Sequence, residues 1–144
     1  MANLYENDYP LWAHLQAAYL RARQWDKLDI DALAEEIDDM GRNERDAVES
    51  QVERLLHHLL KWRYQSEQRS GSWRGTIREV RFRIAKHIRR APSLAGYPAE
   101  VLNDAYHIAR LRAASETGLD DSAFPATCPW TVEQVLDEQF WPEG

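Results

Sequence analysis

The feature that most constrains the fold is a long series of apolar residues spaced mostly three or four positions apart. Between Ala47 and Val48 the apolar positions move to a neighbouring face of the helix. The members of the series are Ile30, Leu33, Ile37, Met40, Ala47, Val48, Val52, Leu55, Leu59 and Trp62. Side chains at this spacing lie on one face of an α-helix. The series therefore predicts a single helix over about residues 30–65, roughly 50 Å long at about 1.5 Å per residue.

The two halves of this predicted helix differ in how much of their surface is apolar. Only one face of the first half is apolar, whereas Leu56 and Leu60 add a second apolar face to the second half. A helix with one apolar face packs on one side, and a helix that is apolar on several faces is buried. We therefore expect the second half to be nearly surrounded by protein.

Helical spacing recurs along the rest of the chain, and no segment alternates apolar and polar residues for long, as a strand would. Residues typical of helix ends mark the boundaries: Asp8, Pro98, Gly118 and the capping-box pair Thr131 and Gln134. The predicted main helices span about residues 9–25, 30–65, 73–90 and 98–117. The predicted fold class is all-α: a bundle of four main helices with one long central helix and a short C-terminal helix.

Composition favours one soluble domain over the whole chain, residues 1–144. A chain of 144 residues with 44% apolar and 29% charged residues is typical of a single globular domain. Cys128 is the one cysteine, so no intramolecular disulfide can form, and a reducing compartment is expected. The sequence shows neither a signal-peptide pattern nor an apolar run of membrane-spanning length. We expect a cytoplasmic protein without membrane contact.

Charge is strongly segregated along the chain, although the net charge is only −6. Residues 29–53 carry ten acidic side chains against two arginines. Residues 54–90 carry eleven basic side chains against two glutamates. Blocks of opposite sign predict that part of the basic charge is matched inside the molecule or between two copies of it.

The acidic block contains the stretch LAEEIDDMG, residues 33–41, with carboxylates at Glu35, Glu36, Asp38 and Asp39. At about 100° per residue, these carboxylates spread over the side opposite Leu33, Ile37 and Met40. A metal site in a helix bundle needs carboxylates that project inward. The cluster is therefore interpreted as a solvated or partner-binding face, with Glu35 and Asp39 as its candidate contact residues.

Other acidic and imidazole side chains could build a metal site in the bundle interior. Glu44 falls in the apolar series, where we expect it to be buried and paired with an arginine of a neighbouring helix. Asp104 and His107 have the Asp-x-x-His spacing of one bundle metal motif, but no second copy occurs. The candidate ligands of a metal-dependent enzyme are Glu44, Glu53, His57, His58, Asp104 and His107. This alternative stays open, and we otherwise expect no catalytic residues and no cofactor.

The predicted helix 73–90 carries most of the basic charge. Arg74, Arg78, Arg81 and Arg89 flank its apolar face, and Phe82 falls nearly opposite that face. Arginines with an exposed aromatic ring could bind nucleic acid, another protein, or the acidic face of a second copy. The sequence pI of about 5.4 makes protein the favoured partner. We therefore predict a non-enzymatic interaction module that self-associates or binds another protein through residues 35–39 and 74–90.

Five stretches occur in the order found in a known family. They are YENDYPLW, LAEEIDDMGRNER, LLHHLLKWRYQ, RSGSWRGTIREVR and FPATCPWTVEQVLDEQFWPE. With these motifs the chain resembles the bacterial family of domain of unknown function 29 over about residues 4–143. The resemblance implies an α-helical fold. It implies no activity and no catalytic residues, since none is assigned to that family.

Overall fold

The computed structural model describes residues 3–143. Its helices are α1 (Leu4–Asn7), α2 (Tyr9–Arg21), α3 (Ile30–Tyr64), α4 (Gly71–Arg90), α5 (Tyr97–Thr117) and α6 (Val132–Leu136). No β-strand occurs within residues 3–143. The predicted all-α class is therefore confirmed, with four main helices, a long central helix and a short C-terminal one.

These residues form two compact units, one up to Asn43 and one from Glu44 onward. Helix α3 supplies residues to both units, because the division falls inside it. The single domain expected over residues 1–144 remains a prediction.

Helix α3 has 35 residues, more than a bilayer crossing requires, but charged side chains recur along it. None of the helices in the described part of the chain is long and apolar enough to cross a membrane. The cytoplasmic location remains a prediction.

Cap residues explain where the helices begin and end. The Asp8 carboxylate accepts a hydrogen bond from the Leu11 N–H at the start of α2. Helix α2 ends at Arg21 rather than near residue 25, because Arg23 adopts a left-handed backbone with φ of 57°. Ser70 caps α4, so this helix begins at Gly71, two residues earlier than predicted.

The C-terminal helix α6 has the predicted capping box. The Gln134 N–H donates to Thr131 Oγ1 at 3.2 Å, and the Thr131 N–H donates to Gln134 Oε1 at 3.0 Å. This reciprocal pair satisfies two amides that the first turn of a helix leaves unpaired. Gly118, with φ of 74°, ends α5 in the left-handed conformation as predicted.

In the first unit, α2 is fixed to the start of α3 by buried polar contacts. Trp12 and Gln16 are only 5% and 6% exposed. The Gln16 side-chain carbonyl accepts a hydrogen bond from the Asp29 N–H at 2.8 Å, and the Trp12 indole N–H donates to the Asp29 carboxylate at 3.3 Å. These bonds place Asp29 at the beginning of α3 and bury Ala32 one turn later.

The predicted packing of the first half of α3 is wrong. Ile30, Ile37 and Met40 were expected to face the core, but they are 61%, 65% and 65% exposed. The flank that carries Ala32 and Glu36 is covered instead: Ala32 is buried, and the Tyr5 and Tyr9 hydroxyls donate hydrogen bonds to the Glu36 carboxylate. Spacing shows which residues share a face of a helix, whereas the contacts of other elements decide which face is covered.

Glu44 also departs from the prediction. Its side chain is 63% exposed, and its ion-pair partner is His87, with Glu44 Oε2 3.7 Å from His87 Nδ1. The expected buried pair between Glu44 and an arginine is therefore wrong. Glu44 follows the register of Ile37 and Met40, and that side of α3 is exposed at all three positions.

The second unit has a continuous apolar core formed by α3, α4 and α5 together with Phe124 and Val135 of the C-terminal part of the chain. The second half of α3 is nearly surrounded, as predicted, and α5 contributes mostly alanines, which allow close helix approach. Fully or almost fully buried members of this core are Val48, Val52, Leu55, Leu56, Leu59, Leu60, Ile77, Val80, Ile84, Ala105, Ala109, Ala113, Phe124 and Val135.

Candidate protein-interaction surface

Helix α4 presents one face to the core and the other to solvent. Ile77, Val80 and Ile84 are at most 1% exposed, whereas the Phe82 ring is 54% exposed. The Arg89 guanidinium carbon lies 5.7 Å from the centroid of the Phe82 ring. Other cations are exposed on α4, namely Arg74, Arg78, Arg83, Lys86 and Arg90. The predicted exposure of Phe82 among basic side chains is thus present in the structure.

Most of these cations have no carboxylate partner. Arg83 is the exception, since its guanidinium binds the Glu79 carboxylate at 2.9 Å one turn away. Arg74 lies beside the rings of Trp62 and Trp141, 5.6 Å from each centroid. The remaining exposed cations make no ion pair within residues 3–143: Arg78, Lys86, Arg89 and Arg90. Their charge is therefore available to a partner.

Arg81 lies elsewhere than the sequence predicted. It is 3% exposed, its Nε donates to the Val135 carbonyl at 2.8 Å, and its guanidinium carbon is 5.6 Å from the Trp141 ring centroid. Burial lowers the pKa of Arg81, against the opposing effect of the Asp137 and Glu138 carboxylates. A side chain this buried cannot lie on an exposed contact surface.

The acidic cluster of the first unit divides into free and bound carboxylates. Glu36 accepts hydrogen bonds from Tyr5 and Tyr9, and the bond to Glu36 raises the pKa of the Tyr5 phenol. Asp39 forms an ion pair with Arg42 on the same helix. Glu35 and Asp38 are exposed and make no hydrogen bond or ion pair in the described part of the chain.

The six candidate metal ligands do not converge. Glu53 lies 3.7 Å from an Arg112 nitrogen, the His58 ring nitrogen Nδ1 lies 2.9 Å from the Arg54 carbonyl oxygen, and Asp104 and His107 are exposed on α5. Across residues 3–143, no three His, Cys, Asp or Glu side chains are grouped closely enough to hold a metal ion.

An ionic cluster around a buried lysine in the second unit has no counterpart among the sequence predictions. Lys61 is 4% exposed, its Nζ donates to Glu116 Oε1 at 2.8 Å, and it lies 4.6 Å from the Trp73 ring centroid. His57 Nε2 lies 2.6 Å from the other Glu116 oxygen. The one sequence signal was a lysine in the half of α3 that is apolar nearly all round. Its acidic partner, 55 residues away, could not be inferred from spacing.

Comparison with known families agrees with the resemblance. The family model described as "Domain of unknown function DUF29" matches residues 4–141. The chain belongs to this family. No curated protein and no solved structure matches the chain significantly. Membership of DUF29 assigns no activity, so the geometry of the side chains has to carry any functional inference.

Acid is expected to destabilise this DUF29 chain in two ranges. Burial lowers the pKa of His57 and His58 below their ordinary 6.5, so the unfolded state takes up protons first as the pH falls below about 6.5. The hydrogen bond from Lys61 lowers the pKa of Glu116 below 4.5, so its contribution is lost at still lower pH. The free energy of unfolding, measured by urea denaturation, should therefore fall as the pH is lowered from 8 to 5.

The control for this pH dependence is a pair of histidine variants. His57→Gln removes one partly buried imidazole ring, so the free energy of unfolding should fall less between pH 7 and pH 5 than in the wild type. His107→Gln removes an exposed ring from α5 and controls for the substitution itself. A wild-type unfolding free energy that stays constant from pH 8 to pH 5 would contradict the prediction.

Proposed function

We propose that this DUF29 chain is a non-enzymatic interaction domain that self-associates. In this proposal the exposed basic side of α4 in one copy binds the exposed acidic side of α3 in another. The basic surface consists of Arg74, Arg78, Phe82 and Arg89, and the acidic surface of Glu35, Asp38 and Asp39. The observation that carries the proposal is the 54% exposed Phe82 ring among cations that have no carboxylate partner in the described residues.

An exposed aromatic ring beside arginines is typical of the residues that dominate protein interfaces. Aromatic side chains and arginine are enriched in interfaces and among their energetically important positions. The 5.7 Å approach of Arg89 to Phe82 keeps the ring next to a cation. Burial of this ring against a partner would remove a large apolar surface from water.

The acidic surface offers matching chemistry. Glu35 and Asp38 are exposed and make no ion pair in the described residues. Free carboxylates on one copy are complementary to free guanidinium groups on another. Residues 29–43 carry six acidic side chains against one arginine, and α4 carries seven basic side chains against one glutamate. This opposite charge supports a second copy as the partner.

The proposed contact joins two different surfaces, so two copies related by a twofold axis would make it twice, and otherwise it links copies head to tail. In either case we expect the mean mass in sedimentation equilibrium to rise above that of a monomer as the concentration increases. Because the contact relies on exposed charges, 0.5 M salt should weaken it markedly relative to 50 mM salt.

Charge reversal tests the proposed surfaces directly. Arg78→Glu should weaken self-association by about tenfold or more, because a free cation becomes an anion facing carboxylates. Combining it with Glu35→Lys should restore part of the affinity. Arg21→Glu changes the charge equally at an exposed position of α2 and should leave the association unchanged.

Two results would refute self-association through these surfaces, and a third would assign the basic surface to a different partner. One is a monomer at every concentration up to several hundred micromolar in 50 mM salt. The other is an association constant that Arg78→Glu does not alter. If the chain instead bound duplex DNA with a steep dependence on salt concentration, the basic surface would serve nucleic acid, and the proposal would be wrong.

A further inference from the structure

The buried guanidinium of Arg81 is only partly satisfied. Its Nε donates to the Val135 carbonyl at 2.8 Å, but neither terminal nitrogen has a hydrogen-bond partner in the described residues. A buried charge with unpaired donors is unfavourable, and buried polar groups in native proteins are nearly always hydrogen-bonded. The two free nitrogens therefore point to a ligand group that accepts hydrogen bonds.

Arg81 lies beside a cavity large enough for a small molecule. The cavity has a volume of about 470 Å³, within the range of small-molecule sites. One wall is formed by α4, through Gly75, Arg78, Arg81 and Phe82, and the other by Glu138 and Gln139. Gly75 leaves open space here, since a Cβ atom built on it would meet nothing within 4 Å.

The charges around the cavity favour an anion with one negative charge. Arg78 is exposed and has no ion-pair partner within residues 3–143, so it can join Arg81 in binding. The Glu79 carboxylate on the same wall is already bound by Arg83. Glu138, on the opposite wall, would repel a doubly charged phosphate more strongly than a carboxylate.

The shape of the donors and the apolar part of the wall define the ligand further. A guanidinium group presents paired N–H donors that match the two oxygens of a carboxylate. The Phe82 ring supplies an aromatic surface next to these donors. The terminal nitrogens of Arg81 are buried, so the wall of the cavity must move for a carboxylate to reach them, and its members Glu138 and Gln139 are exposed side chains.

We propose that this cavity binds an organic carboxylate, with its carboxylate group on Arg81 and Arg78 and its apolar part on Phe82. The site needs only one copy of the chain, so it does not depend on self-association. It is tested at a protein concentration where sedimentation shows a monomer.

The experiment is a titration of the whole 144-residue chain with benzoate, followed by amide signals in two-dimensional NMR. Benzoate should bind saturably and shift the Gly75 and Val135 amides, whereas neutral benzyl alcohol should not. Phenyl phosphate should bind more weakly than benzoate. Arg78→Gln should weaken benzoate binding about tenfold, and Arg90→Gln, the same charge change at an exposed position of α4 outside the cavity, should leave it unchanged.

A cavity-filling variant keeps the test independent of charge and of folding. Gly75→Leu places a side chain in the open space of the cavity and replaces a helix-interior glycine, so the variant should be no less stable than the wild type. It should abolish the benzoate shifts. The proposal is overturned if Gly75→Leu binds benzoate as the wild type does, if benzyl alcohol binds equally well, or if Arg90→Gln loses as much affinity as Arg78→Gln.

Discussion

Leu59→Ala is expected to lower the free energy of unfolding by about 2–5 kcal/mol. Leu59 is 0% exposed and lies in the core of the second unit, where α3, α4 and α5 contribute apolar side chains. Truncation removes buried methyl groups and leaves a cavity, because close-packed neighbours relax only partly. Urea denaturation followed by far-UV circular dichroism measures the loss.

Ile37→Ala is the matched control on the same helix. Ile37 has a side chain of similar volume but is 65% exposed, so the free energy of unfolding should change by no more than about 0.5 kcal/mol. The comparison is made where the protein is monomeric, since Ile37 lies next to the proposed acidic surface. Equal losses for the two variants would show that the first half of α3 packs against protein on its apolar face, contrary to the structure.

The second large effect is expected for Phe124→Ala, at about 3–5 kcal/mol. Phe124 is 2% exposed, and its ring meets that of Tyr64 nearly edge to face, with centroids 5.5 Å apart. The next residue is also fixed, because the Tyr106 hydroxyl donates to the Pro125 carbonyl at 2.6 Å. Loss of the ring should therefore loosen the segment between α5 and α6, which protection from amide hydrogen exchange would reveal.

Phe82→Ala provides the control, because it deletes the same ring from an exposed position. With 54% of Phe82 exposed, the free energy of unfolding should fall by less than about 1 kcal/mol. Comparison of the two variants thus distinguishes a ring that stabilises the core from a ring that is free to bind a partner. If Phe82→Ala were as destabilising as Phe124→Ala, the Phe82 ring would be part of the core, and the proposed basic surface would be lost.

The positions of the helices could be predicted from the sequence because helical spacing and caps are local. The long helix was expected over residues 30–65 and spans Ile30–Tyr64. The covered face of its first half could not be predicted. There Glu36 is held by Tyr5 and Tyr9, while the apolar residues stay exposed. A hydrogen bond between residues 31 positions apart cannot be inferred from the spacing of neighbouring residues.

Solvent exposure was predicted correctly for Phe82 and for Arg74, Arg78 and Arg89, but not for Arg81, and the role of these residues as a contact surface remains a prediction. The sequence does contain the signal that was missed. Ile77, Val80, Arg81 and Ile84 fall at the i, i+3, i+4 and i+7 positions of one helical face, which is the core face. A long arginine stem can pack along apolar neighbours on such a face. The spacing could not show that the Arg81 guanidinium contacts the C-terminal segment, at the Val135 carbonyl and the Trp141 ring.

The division between the two units inside α3 limits how this chain can be rearranged. Independent modules are normally exchanged, circularly permuted or separated by proteases at exposed linkers, where few backbone bonds are cut. A break after Asn43 would instead cut a helix, leaving four carbonyls on one fragment and four amides on the other without partners. The two units are therefore expected to be inherited together, and a functional fragment of this chain would have to include the whole of α3.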